Sequence, residues 1–204
     1  MNAYHVAAKA GDTIRPDPSK LPAMVITLIG YRGTGKSTVG PQLAVRLGYV
    51  FLDADPEIER RAGKSIRQIF ADSGEPEFRR LEAEFLAEQL HRNHLVLAPG
   101  GGAVLNETTR QRMQSAGPVV WLTAPTDVIV QRMADDATST ERRPALTSLP
   151  PRDEIEQLLA KRTPLYAQAA SITIETSGKR VDQIVEEILT ALPGPKTAAE
   201  GART

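Results

Sequence analysis

The chain has 204 residues, 41% of them hydrophobic, a size that suits one α/β domain with an ordinary core. Its 25 basic and 25 acidic residues cancel, so the basic surplus of a nucleic-acid binder is missing. The absence of cysteine excludes disulfides, zinc–thiolate sites and thiol nucleophiles, and no apolar run approaches the roughly 18 residues that a membrane helix needs.

Residues 1–23 carry Gly11, Pro16, Pro18 and Pro22 among scattered charges and lack the apolar stretch of a secretory signal. They read as a flexible extension or as the product of a mis-set start codon. The folded domain is expected over 24–192. The small, polar tail from Pro193, residues 193–204, reads as disordered.

The apolar run Val25–Ile29 predicts a strand buried on both faces, as in a parallel sheet. After a glycine-rich loop, Val39, Leu43 and Leu47 recur at helical spacing over 37–47, and Gly48 ends that helix. Residues 49–52 read as a second strand that runs out at Asp53-Ala54-Asp55. Pro56 then opens a helix for which Asp55 stands at the N-cap position. A short helix over 65–70 and a long amphipathic one over 77–91 are separated by Gly74-Glu75-Pro76. The long one carries Phe78, Leu81, Phe85, Leu86 and Leu90 on one face.

Leu95–Ala98 is a third strand and ends at Gly100-Gly101-Gly102. A helix over 108–116, a strand over 118–122 and a helix capped by Thr126 and running to Met133 follow. Residues 134–151 are rich in Asp, Thr, Ser and Pro without periodicity. A helix over 153–162 reaching Pro164, a strand over 172–174 and a helix over 181–192 complete the chain. Strands alternating with helices predict an α/β fold, three αβα layers around a parallel five-stranded sheet. Ligands of such sheets sit beyond the carboxyl ends of the strands. Three of those ends carry polar or glycine-rich motifs, at Gly30, at Asp53 and Asp55, and at Gly100.

Gly30-Tyr31-Arg32-Gly33-Thr34-Gly35-Lys36-Ser37-Thr38 matches the Walker A pattern between a predicted strand and a predicted helix, the context that gives the pattern its meaning. Glycines let successive N–H groups face one anion, and the helix points its positive end at the same place. Lys36 reaches β and γ phosphates in such loops, and the Ser37 hydroxyl ligates Mg²⁺. The chain is therefore expected to be an ATP-dependent phosphotransferase of the P-loop NTPase, nucleoside-monophosphate-kinase-like kind.

The other motifs are weaker one by one. Asp53 and Asp55, two apart at a strand end, share a face. One suits a magnesium ion and the other an acceptor hydroxyl, with N-capping as the structural alternative for Asp55. Arg79 and Arg80 have Glu82 and Glu84 at the spacings of helix-surface ion pairs. The triple glycine admits close approach of a ligand or makes a tight turn. Arg142 and Arg143 fall in the irregular segment, and Arg162 ends a predicted helix, where the helix dipole favours a cation anyway.

Taken together, GYRGTGKST, LDAD (52–55), GEPEFRRLE (74–82), GGG (100–102), RPAL (143–146) and KRTPLY (161–166) resemble the shikimate kinase family, in family order and across nearly all of 25–192. The resemblance implies transfer of the ATP γ-phosphate to the 3-hydroxyl of shikimate in chorismate and aromatic amino acid biosynthesis. It implies that Gly33, Thr34, Gly35, Lys36, Ser37 and Thr38 bind ATP, and that Ser37 and Asp53 hold Mg²⁺. Asp55 is the implied base. Asp55, Arg79, Gly101, Gly102 and Arg162 are the implied shikimate contacts, and Arg143 is the arginine of a mobile lid over 134–151. Arg142 is the other lid candidate; Arg143 abuts Pro144. Against adenine, Arg132 and Lys179 are both candidates. Pro99, where the family usually has a small residue, and a lid a few residues longer than common are departures. The expected state is a cytoplasmic monomer with no nucleic-acid or membrane partner. The alternatives are another P-loop small-metabolite kinase, of gluconate or nucleotide type, and a nucleotide-binding module without turnover.

Overall fold

The computed structural model describes residues 23–136 and 149–193. Five strands, β1 (Val25–Ile29), β2 (Val50–Asp53), β3 (Leu95–Ala98), β4 (Val119–Thr123) and β5 (Ile172–Glu175), form one sheet in the order β2-β3-β1-β4-β5. All four pairings are parallel. Seven α-helices are described: α1 (Lys36–Leu47), α2 (Ala54–Ala62), α3 (Ile66–Gln89), α4 (Glu107–Ala116), α5 (Thr126–Asp135), α6 (Pro151–Ala169) and α7 (Val181–Ala191).

The layers follow from the two-residue period of the strands. Val25 and Ile29 of β1, Leu95 and Leu97 of β3 and Val119 of β4 face one way, onto Phe78, Phe85 and Leu86 of α3, Met113 of α4 and Tyr166 of α6. Ile26, Leu28, Val96, Val120 and Leu122 face the other way, onto Val39 and Leu43 of α1 and Ile184, Val185 and Ile188 of α7. β1 is central and buried along its whole length, which is why its sequence is apolar without alternation.

Several boundaries differ from expectation for local reasons. Asp53, not Asp55, is the N-cap of α2: its side chain accepts from the Asp55 N–H at 3.2 Å. The α3 segment is two helical stretches joined at Gly74, whose φ of 77° and ψ of 173° are not helical. Its first stretch starts at the expected place, where Ser65 and Gln68 form a capping box. Pro125 rather than Thr126 precedes α5, with no side-chain cap. α6 does not stop before Pro164 but runs through it to Ala169, losing one backbone bond. Arg162 thus lies inside a helix and is no helix-end cation.

Candidate functional site

The loop after β1 owes its shape to glycines in the left-handed region, Gly33 at φ 81° and Gly35 at φ 96°. Gly30 has no room for a side chain, which would strike the Leu122 carbonyl of β4. Inside the loop, the buried Thr34 hydroxyl donates to the Tyr31 carbonyl at 2.8 Å. Thr34 therefore braces the loop from within. Lys36 Nζ donates to the Gly30 and Tyr31 carbonyls at 2.8 and 3.1 Å, which holds its charge over the loop's mouth. α1 begins at Lys36 and directs its free N–H groups at the same space.

Next to the loop, Ser37 Oγ donates to Asp53 Oδ2 at 2.6 Å, while Asp53 Oδ1 caps α2. Burial pushes the Asp53 carboxyl above its ordinary range, and the neighbouring Asp55 charge adds to that; the Ser37 bond, the Asp55 amide and Lys36 oppose it. A carboxylate held against its own desolvation and a like charge is a good seat for a cation. The Ser37 hydroxyl beside it completes an all-oxygen pair of the kind that Mg²⁺ prefers. No group of three or more His, Cys, Asp or Glu that could hold a metal occurs among the described residues. A magnesium ion here would therefore complete its shell with phosphate oxygens and water, its usual manner in phosphotransferases.

One cavity of about 690 Å³ joins these groups. The phosphate loop, Asp53 and Asp55 line it together with Gly100, Gly101 and Arg162. Its volume is that of a small-molecule site. Arg162 is 5% exposed. Among the described residues no carboxylate or carbonyl pairs with its guanidinium, whose contact is the Tyr31 ring, 5.8 Å from Cζ. A buried guanidinium without a counter-charge calls for an anion.

Arg79 and Gly102 line an adjoining cleft rather than this cavity. Arg79 is held there by Glu75, which accepts from Nε and Nη2 at 3.0 and 2.9 Å, and by the buried Glu82, which accepts from Nη1 at 2.6 Å. The pairing with Glu82 is the one its sequence spacing suggested. Arg80 is a surface residue paired with Glu77 and Glu84.

On the opposite wall Arg132 donates to the Gly33 carbonyl at 3.2 Å and to the hydroxyl and carbonyl of Thr176, both at 2.8 Å. Lys179 pairs with Glu187 at 2.7 Å. Both expected adenine candidates line the cavity, as does Pro99. Arg142, Arg143 and most of 134–151 lie outside the described residues, as do 1–22 and 194–204. Sequence reasoning missed Thr176, the buried Glu154 and the bond from Tyr166 Oη to the Gly101 carbonyl. The first two carry no motif signal. Tyr166 was part of KRTPLY without a role.

The family model described as shikimate kinase matches residues 32–193. A shikimate kinase of Rhodopirellula baltica is 44% identical over 166 residues, 81% of this chain and 89% of that protein. The solved structure of a shikimate kinase from Acinetobacter baumannii in complex with shikimate superposes with a TM-score of 0.77 at 39% identity, covering 82% of this chain and 92% of that one. A gluconokinase from Sinorhizobium meliloti is 16% identical with a TM-score of 0.51, covering 83% and 91%, a likeness of fold alone.

Proposed function

The chain belongs to the shikimate kinase family, and on that premise we propose that it transfers the γ-phosphate of ATP to the 3-hydroxyl of shikimate, giving shikimate 3-phosphate and ADP on the way to chorismate and the aromatic amino acids. The observation that carries the assignment is the buried Arg162 guanidinium, which has no counter-charge among the described residues and lies in the same cavity as the phosphate loop. A phosphate loop alone says only that a nucleotide binds. A buried cation beside that loop selects a second, anionic substrate, and a planar guanidinium suits a carboxylate.

The roles then divide by position. The amides of Gly33, Gly35, Ser37 and Thr38 and the Lys36 ammonium hold the phosphates; Thr34 contributes by bracing the loop. Ser37 and Asp53 would hold Mg²⁺, which would supply neutralisation of charge on the ATP phosphates. Asp55 lies in the first turn of α2, lines the cavity, and is not the helix cap, so its carboxylate is the group placed to accept from shikimate hydroxyls. It orients the 3-hydroxyl and takes its proton as the oxygen attacks phosphorus. A weak base suffices, because phosphoryl transfer depends mainly on positioning and charge neutralisation. Arg162 and Arg79 take the carboxylate, with Gly101 and Gly102 giving the backbone close approach. Arg143 keeps the lid role implied by the family. A lid is required because water admitted beside the γ-phosphate would compete with the acceptor. The protein acts as a monomer in the cytoplasm; no helix of the described residues is long and apolar enough to cross a membrane.

The test is ADP release in a coupled assay with a panel of acceptors. Release is expected to depend on shikimate and not on gluconate or nucleoside monophosphates. Equal rates with those acceptors would return the chain to the wider class of P-loop metabolite kinases.

A further inference from the structure

We infer that Tyr166 is a positioning residue, whose hydroxyl sets the orientation of the Gly101–Gly102 peptide and so the acceptor half of the site. The inference rests on the assignment of Gly101, Gly102 and Arg162 to shikimate.

Tyr166 follows Arg162 by four residues on α6, so the helix delivers both side chains to one face. Its ring is wholly buried and stacks on Trp121 of β4, with centroids 5.7 Å apart and planes 22° apart. The ring is therefore fixed by the core, and the hydroxyl at its tip donates to the Gly101 carbonyl at 2.5 Å. The backbone of the phosphate loop also lies against Gly101. A side-chain carbon on it would lie 3.2 Å from the Gly30 carbonyl oxygen, 3.4 Å from Tyr166 Oη and 3.6 Å from Tyr31 Cα. The first residues of the phosphate loop and the tyrosine thus both pack against the same glycine.

The need for such a pin comes from the sequence. Gly100, Gly101 and Gly102 have no side chains to restrict them, and glycine keeps more backbone freedom than any other residue. In a trans peptide the C=O and the following N–H point in opposite directions. Holding the Gly101 carbonyl towards α6 therefore turns the Gly102 N–H away from α6. One hydrogen bond from a rigid phenol selects one orientation out of those open to the turn. It does so in a segment that touches the phosphate loop at Gly30 and Tyr31, so the acceptor and nucleotide halves share one brace.

Tyr166→Phe removes the hydroxyl and keeps the ring and its stack on Trp121. The Michaelis constants for shikimate and for ATP are measured with the thermal melt. The expected result is a shikimate KM raised about three- to tenfold, the effect of one lost hydrogen bond, with the ATP KM within about twofold. An unchanged shikimate KM, or equal rises in both constants, overturns the inference, since a purely structural tyrosine would lower the melt without separating the two. If Tyr166→Phe is destabilised at the assay temperature, both constants are measured at a lower temperature where it stays folded, and the same separation must appear. Arg162→Ala is run in parallel. If it leaves the shikimate KM unchanged, the underlying assignment fails. If it raises that KM while Tyr166→Phe does not, only the role of Tyr166 fails.

Discussion

The guanidinium of Arg79 rests on Gly102, where any side-chain carbon would come within 2.5 Å of Cζ and of both terminal nitrogens. Glu75 and Glu82 take three of its five N–H groups, which leaves one on each terminal nitrogen for a ligand. Gly102 has φ −97° and ψ −3°, a conformation open to alanine, so its requirement for glycine is one of space and not of backbone strain. Gly102→Ala should fold, push Arg79 off its seat and raise the shikimate KM about tenfold or more, the effect of one charge-assisted hydrogen bond lost, with little change in the ATP KM. Steady-state kinetics with each substrate varied in turn would check this. An unaltered shikimate KM would leave Arg79 as a helix-surface ion-pair residue.

Arg162 makes a sharper case, because it is buried with no counter-charge among the described residues. Arg162→Ala should raise the shikimate KM by several tens-fold, since a hydrogen bond to a charged group contributes about 1.5–3 kcal/mol. Arg162→Lys should recover only part of the loss, because an ammonium cannot reproduce the planar fork. The same variants bear on stability in the opposite sense. Removing a buried charge that no described residue compensates should leave the melting temperature of the ligand-free protein unchanged or raise it.

Asp55→Asn separates chemistry from architecture. The cap of α2 is Asp53, so the Asp55 side chain can change without unfastening the helix. The melt should be preserved, while kcat falls about 10²–10⁴-fold, the usual contribution of a positioned acid or base. Activity near that of the parent would mean that the hydroxyl proton leaves by another route.

The elements and the phosphate loop were legible in the sequence because they rest on local chemistry. Val25–Ile29 reads as a doubly buried strand, and Gly48 can close α1 because φ 69° suits glycine. What was not legible depended on groups distant in the chain. Asp53 and Asp55 are equally good caps by composition, and only the path of the backbone after β2 decides between them. Arg162 looked like a helix-end cation because Pro164 usually stops a helix; packing of Tyr166 and Ala169 into the core carries α6 past it. The pin from Tyr166 to Gly101 spans 65 residues and leaves no local trace.

Asp53 gives the prediction with a pH sign. Burial, and after it the Asp55 charge, raises its carboxyl above the ordinary 3.8. A carboxyl whose folded-state pKa is raised favours the fold fully below the unfolded value and loses that contribution as pH rises through the folded value. The ligand-free protein therefore carries a net cost from Asp53 at neutral pH. Asp53→Asn removes it and keeps a side-chain oxygen for the Asp55 amide, since Asn caps a helix about as well as Asp. The variant should melt higher than the parent at pH 7 without nucleotide, and the difference should close as pH falls towards 4. With magnesium and ATP present the order should reverse, because only the parent gains a cation opposite its carboxylate. Activity should fall about ten- to a hundredfold, the usual loss when a metal-site carboxylate or its support is removed. Melting curves across pH, with and without magnesium and ATP, would decide it. A variant that melts lower than the parent without ligand at pH 7 would show that Asp53 serves the fold first and the cation second.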